Sequence, residues 1–251
     1  MMPEKVASTT VVAGPPAAVS QPSSTMQFFR QTLVIARKDL RAELRTKEAI
    51  NAALAFSMVI LILFSFAFDP GEQETIEMSG GLLWIVFAFA GTLVLNRSFA
   101  REVPNDCLDA LVAAPVSGGA LFLGKALANF ALVLAVELVS LPVFGIFYNV
   151  HWTGQIWSLL FVLVLGTWGL TVIGTIFSAL TVNIRLRELM APLLVYPMLI
   201  PALMSAMKLT MDLIGGKPLG GENEVWLRLL VVFDVIFTAL SLVLLETVLV
   251  G

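Results

Sequence analysis

Apolar runs close to twenty residues long recur along this 251-residue chain, and each is long enough to cross roughly 30 Å of hydrocarbon as a helix. Six are read as spans, over about 50–68, 80–95, 126–147, 156–182, 189–207 and 229–250. Composition agrees: 58% of residues are hydrophobic and 13% charged, where a soluble domain carries about a quarter charged. A soluble enzyme fold is excluded, and the expected class is an all-α integral membrane protein. Cys107 is the single cysteine and His151 the single histidine, so neither an internal disulfide nor a Cys/His zinc site can form.

Residues 1–25 mix Ala, Pro, Ser, Thr and Val and include Gly14-Pro15-Pro16. They lack the periodicity to bury a face and are read as a disordered tail. No apolar stretch suited to a cleaved signal peptide follows, so the expectation is that the N-terminus is kept. The membrane domain is read as 26–251. It opens with an amphipathic helix over 27–47, in which Phe29, Leu33, Ala36, Leu40 and Leu44 form an apolar face. The opposite face is read as basic, with Arg37, Arg41 and Arg45 in an i, i+4, i+8 ladder and Arg30 in line. Like charges at that spacing repel unless anionic headgroups neutralise them, which favours an interfacial helix lying on membrane lipid. A solvated helix preceding the first span is the other reading.

With the N-terminus inside, twelve of the fifteen Lys and Arg residues fall on the inner side: Lys5, Arg30, Arg37, Lys38, Arg41, Arg45, Lys47, Arg97, Arg101, Lys125, Arg185 and Arg187. Lys208, Lys217 and Arg228 are outside. The asymmetry places both termini in the cytoplasm.

Residues 119–126, GALFLGKA, fall one residue short of a phosphate-binding loop. Ala126 cannot supply the hydroxyl that magnesium needs, and no strand pattern leads into the run. Lys125 is read instead as an anchor snorkelling to the interface. His151, beside Trp152 in a short outer loop, is read as an interface residue rather than a haem ligand. Glu137, Asp234 and Glu246 lie within spans, where a carboxylate costs at least ~2.5 kcal/mol; Glu246 is near the inner end, and a packing or helix-end role and a transport role stand equally open for these acids. Gly166, Gly169 and Gly174, with Thr167, Thr171, Thr175 and Ser178, make a small-residue surface for close helix packing. Pro192, Pro197 and Pro201 imply a bent but unbroken fifth span, and Pro142 a kink in the third. No catalytic, cofactor or metal site is expected.

The connection over 97–125 is the most informative stretch. It carries Arg101 and Glu102, then a short amphipathic piece from Asp106 with Leu108 and Leu111 toward one side, ended by Pro115. A short helix held between two spans could serve as a mechanical handle, though an inert loop fits the same pattern.

Five stretches carry a resemblance: REVPNDCLDALVAAPV (101–116), LFLGKALANF (121–130), VELVSLPVF (136–144), YPMLIPAL (196–203) and WLRLLVVFDVIF (226–237). With the six-span layout, the chain resembles the haem exporter protein B family, the membrane subunits of ABC-type complexes in cytochrome c maturation. One departure is the turn Pro104-Asn105-Asp106-Cys107, where the family commonly has glycine. The resemblance implies an ABC-2-like exporter architecture in the bacterial inner membrane. It implies a partner ATP-binding subunit docked on the inner connection at Arg101, Glu102, Asp106, Leu108 and Leu111. It also implies a haem-handling membrane subunit, a periplasmic haem chaperone and two copies of this chain per complex, with no nucleic acid. Haem and ATP would be handled by the complex, not bound by this chain. An ABC-2-type exporter subunit for a lipid or another small molecule is the alternative.

Overall fold

The computed structural model describes residues 24–68, 73–98, 116–150, 154–181 and 187–250. Among these every regular element is a helix: α1 (Ser24–Thr46), α2 (Glu48–Ala67), α3 (Gln73–Leu95), α4 (Gly118–Phe147), α5 (Ile156–Thr181), α6 (Arg187–Ile214) and α7 (Asn223–Val250). The chain is an integral membrane protein, because α2 to α7 are each long and apolar enough to cross a bilayer. The tail read over 1–25 lies outside the described residues except for its last two, which open α1.

Several helices exceed the spans read from hydropathy. The third span is expected from 126, yet α4 begins at Gly118, capped by Ser117, whose hydroxyl accepts from the Ala120 amide at 3.2 Å. Residues 118–125, assigned to the connection, are therefore helical. At 30 residues, α4 is about 45 Å long, so roughly ten residues extend beyond ~30 Å of hydrocarbon. Likewise α6 continues past 207 to Ile214, its last turns holding Lys208 and Asp212 as an i, i+4 ion pair of 3.2 Å. Neither Pro142 in α4 nor Pro197 and Pro201 in α6 interrupts its helix.

The bundle is arranged around α5, whose buried residues cover nearly every side of the helix from Leu159 to Thr181. Glycines and threonines make this possible. The Trp84 indole from α3 lies over Gly166, filling the space a Cβ would need, and its Nε1 donates to Thr210 Oγ1 of α6 at 2.9 Å. Farther along, Leu170 packs on Gly91 and Leu95 on Gly174, so α3 and α5 run parallel. On α5's other sides, Asn129 of α4 bonds Thr175 at 2.9 Å, and Trp168 donates to Thr238 of α7 at 3.0 Å. By contrast α2 and α7 are peripheral, exposing Val59, Leu63 and Phe66 and Val235, Ile236 and Val243, the surface that hydrocarbon covers.

Since association in lipid draws on close packing rather than on hydrophobic expulsion, the Trp84 seat should be sensitive to one methyl group. Gly166→Ala is expected to cost about 1–3 kcal/mol, seen as a lowered thermal midpoint in detergent. Trp84→Leu in the same chain should recover part of that loss, because the two changes share one space.

Candidate functional site

Helix α1 divides into three stripes rather than two faces. Thr32, Ile35 and Glu43 are buried; Phe29, Leu33 and Leu44 are exposed; and Arg30, Arg37, Arg41 and Arg45 are exposed in turn. At about 100° per residue the basic stripe is centred roughly 90° from the exposed apolar one, and the buried stripe lies on the other flank. The arginines are thus beside the apolar face, not opposite it. Helix α4 takes up the buried stripe: Gly124 lets its backbone approach Ile35 and the Thr32 carbonyl so closely that a Cβ would meet them at 2.8 Å.

Where α1 meets α2, Lys47 adopts a left-handed conformation with φ 55°. The buried Glu43 carboxylate turns back across this joint, and its Oε1 accepts from the Ala49 and Ile50 amides at 2.7 and 3.1 Å. These are among the amides that a helix start leaves unbonded, and a negative charge there also complements the helix dipole. So α1 supplies the cap of the first span.

Beside this elbow is a polar cluster. Lys125, in the second turn of α4, has a side chain 0% exposed, and its Nζ is 3.1 Å from Asp39 Oδ2 of α1. The same ammonium donates to the Ser98 carbonyl at 3.1 Å. Asn129, one turn on, donates to Ser98 Oγ and Thr175 Oγ1, each at 2.9 Å. Close by, Arg97 pairs with Glu48 of α2 at 2.6 Å, and Ser178 donates to the Leu95 carbonyl at 3.0 Å. The snorkelling role read for Lys125 is therefore corrected. With α1 packed over the first turns of α4, the ammonium is shut off from solvent and ion pairing with Asp39 replaces hydration. The run 119–126 is likewise no loop: it is helical, and its lysine is engaged by Asp39.

Ser98 is the last described residue before the connection, and Ser117 caps the helix that follows it. Both roots of the connection are thus fastened to α4. The proposed contact residues Arg101, Glu102, Asp106, Leu108 and Leu111 lie outside the described residues, as do Cys107, Pro115 and His151.

The intramembrane acids lie apart from this cluster. Glu137 is fully buried, with Oε2 accepting from Thr167 Oγ1 at 2.5 Å, while its Oε1 has no partner among the described residues. Asp234 is 5% exposed and rests against Gly169, with neither oxygen bonded among the described residues. They contact different sides of α5, since Thr167 and Gly169 are about 200° apart on that helix. Glu246 is on α7, but its side chain is outside the described residues. No group of three His, Cys, Asp or Glu side chains among the described residues could hold a metal ion. At the opposite end of the bundle, Tyr148 donates to the Leu61 carbonyl at 3.3 Å, and burial pushes its phenol up to about 12.

Asp39, Ser98, Asn129 and Glu43 are the members that sequence reasoning missed. Asp39, an acid set among four arginines, was the available signal.

A family model described as CcmB protein matches residues 30–246, from the arginine stripe to the last span. The chain belongs to the CcmB family. Among similar proteins is "Heme exporter protein B" of Pseudomonas aeruginosa, 30% identical over 214 residues, covering 85% of this chain and 91% of that one. The protein of the same name from Rhodobacter capsulatus is 31% identical over 166 residues, 66% of this chain and 76% of that one. That from Paracoccus denitrificans has the same identity and coverage.

Removing one partner of a buried pair costs about 3–5 kcal/mol, because the other is left uncompensated. Asp39→Asn should therefore loosen α1 from α4 and speed trypsin cleavage at Arg37 and Arg41 in native membranes. Asp39→Leu combined with Lys125→Met should restore much of the protection.

Proposed function

We propose that this protein is the membrane subunit of an ATP-driven haem export complex of the bacterial inner membrane, serving cytochrome c biogenesis. The reading is carried by similarity to proteins named "Heme exporter protein B" that extends over most of the chain. In this reading the end of the bundle bearing α1 faces the cytoplasm together with both termini, in line with the excess of Lys and Arg there. A separate subunit binds and hydrolyses ATP and docks on the connection over 97–125, through Arg101, Glu102, Asp106, Leu108 and Leu111. Two copies of the chain work with a haem-handling membrane subunit and a periplasmic haem chaperone. ATP hydrolysis drives haem export or release of the loaded chaperone. Haem and ATP are handled by the complex, and this chain binds neither as a cofactor.

The geometry supports a mechanical part for the chain. A push on the connection reaches Ser98, whose carbonyl and hydroxyl are held by Lys125 and Asn129 of α4. Through Asn129 and Thr175 it reaches the central α5, and through Lys125 and Asp39 it reaches α1. The force is thereby spread over several helices instead of bending the end of α3 alone.

An exposed ion pair contributes only about 0–1 kcal/mol, so apolar contact should dominate docking. Leu108→Ala with Leu111→Ala is expected to weaken recovery of the ATPase subunit from membranes more than Glu102→Gln does. Pro115→Ala should leave recovery intact while lowering cytochrome c maturation. Normal recovery and normal maturation in the double leucine variant would remove the connection as the docking site, and co-purification without a haem-handling partner would favour export of a lipid or another small molecule.

A further inference from the structure

Among the described residues the arginine stripe of α1 has no carboxylate counterpart. Arg97, Lys125, Lys208, Lys217 and Arg228 each face a carboxylate, whereas Arg30, Arg37, Arg41 and Arg45 are exposed and form no ion pair among the described residues. Their spacing brings like charges together at successive turns, an arrangement that repels unless something anionic is bound. Phe29, Leu33 and Leu44, at 58%, 64% and 53% exposure, form an apolar strip alongside.

The depth of this surface follows from its neighbours. Helix α1 leads into the first span through the single residue Lys47, and it packs on Gly124 and Lys125, in the part of α4 that extends beyond the hydrocarbon. The helix is therefore at the level of the lipid headgroups, with its apolar strip turned so that acyl chains can cover it. A soluble acidic protein would satisfy the arginines but leave Phe29, Leu33 and Leu44 exposed. A zwitterionic lipid would cover the strip but bring no net charge. A lipid with a net negative headgroup meets both demands.

We infer that α1 carries a binding site for anionic phospholipid, with phosphate held by Arg37, Arg41 and Arg45 and an acyl chain along the apolar strip. This surface is built from other residues than those proposed to dock the ATPase subunit, and the inference holds whatever the complex exports. Because Asp39 fastens α1 to Lys125 and thereby to Ser98, the bound lipid sits on the helix that braces the roots of the connection.

The test is native mass spectrometry of the purified full chain in detergent, with phosphatidylglycerol or phosphatidylcholine added at equal concentration. The unmodified chain should retain phosphatidylglycerol in preference. Arg37→Gln, Arg41→Gln and Arg45→Gln together should lower that retention on the order of tenfold or more, whereas the three Arg→Lys changes should keep most of it. Arg228→Gln, at the far end of the bundle, should change nothing. Equal retention of both lipids, or undiminished phosphatidylglycerol in the triple Gln chain, would overturn the inference. So would loss of a soluble partner from the triple Gln chain with lipid retention unchanged, which would make the stripe a protein interface. A salt titration of the unmodified chain provides a second arm: retention must fall as ionic strength rises, and salt-independent retention contradicts a charge-held headgroup.

Discussion

Inside hydrocarbon every backbone amide and carbonyl has to be bonded within its own helix, and apolar side chains gain little from one another that lipid would not also supply. What distinguishes one helix neighbour from another in this protein is therefore close approach and a small set of polar contacts. Both are concentrated on α5. Its glycines admit Trp84, Leu95 and Asp234, and its threonines bond Asn129 and Glu137. The peripheral helices need no such surface, and α2 and α7 accordingly present branched and aromatic side chains outward.

At the α1-bearing end the rule changes, because water and headgroups are near and charge can be used. Here three carboxylates have three different tasks: Glu43 caps α2, Asp39 holds Lys125 and Glu48 meets Arg97. Together they tie α1, the start of α2, the end of α3 and the start of α4 into one block. That block holds both described roots of the connection, Ser98 through Lys125 and Asn129 and Ser117 as the cap of α4.

The spans were legible because hydropathy over twenty residues outweighs local detail, and the small-residue surface of α5 was legible because glycine and threonine at helical spacing have few other uses in a span. The first two turns of α4 were not. Gly118, Gly119 and Gly124 lower helix propensity, and together with Lys125 they imitate a phosphate loop; packing against α1 is what makes the segment helical. The extension of α6 was obscured in the same way, since Lys208 and Asp212 read as loop residues until their pairing is seen. The polar cluster was hidden for a different reason. Choosing Asp39 as the partner of Lys125 requires knowing which stripe of α1 packs inward, and Phe29 and Leu33 were the more obvious candidates for burial. Residues 99–115 of the connection, read as the handle, lie outside the described residues.

The Asp39–Lys125 contact joins residues 86 positions apart, and chains are made from the N-terminus. When α1 emerges, its ammonium partner does not yet exist; two spans, α2 and α3, must be made before α4 can offer it. During that interval Glu43 can already cap α2, but Gly124, against which Ile35 will rest, is unmade. The arginine and apolar stripes inferred to bind lipid would give the nascent helix a place to wait at the bilayer surface. The seat of α1 on α4 can form only after two spans have been made, so for the first helix of the chain packing lags synthesis.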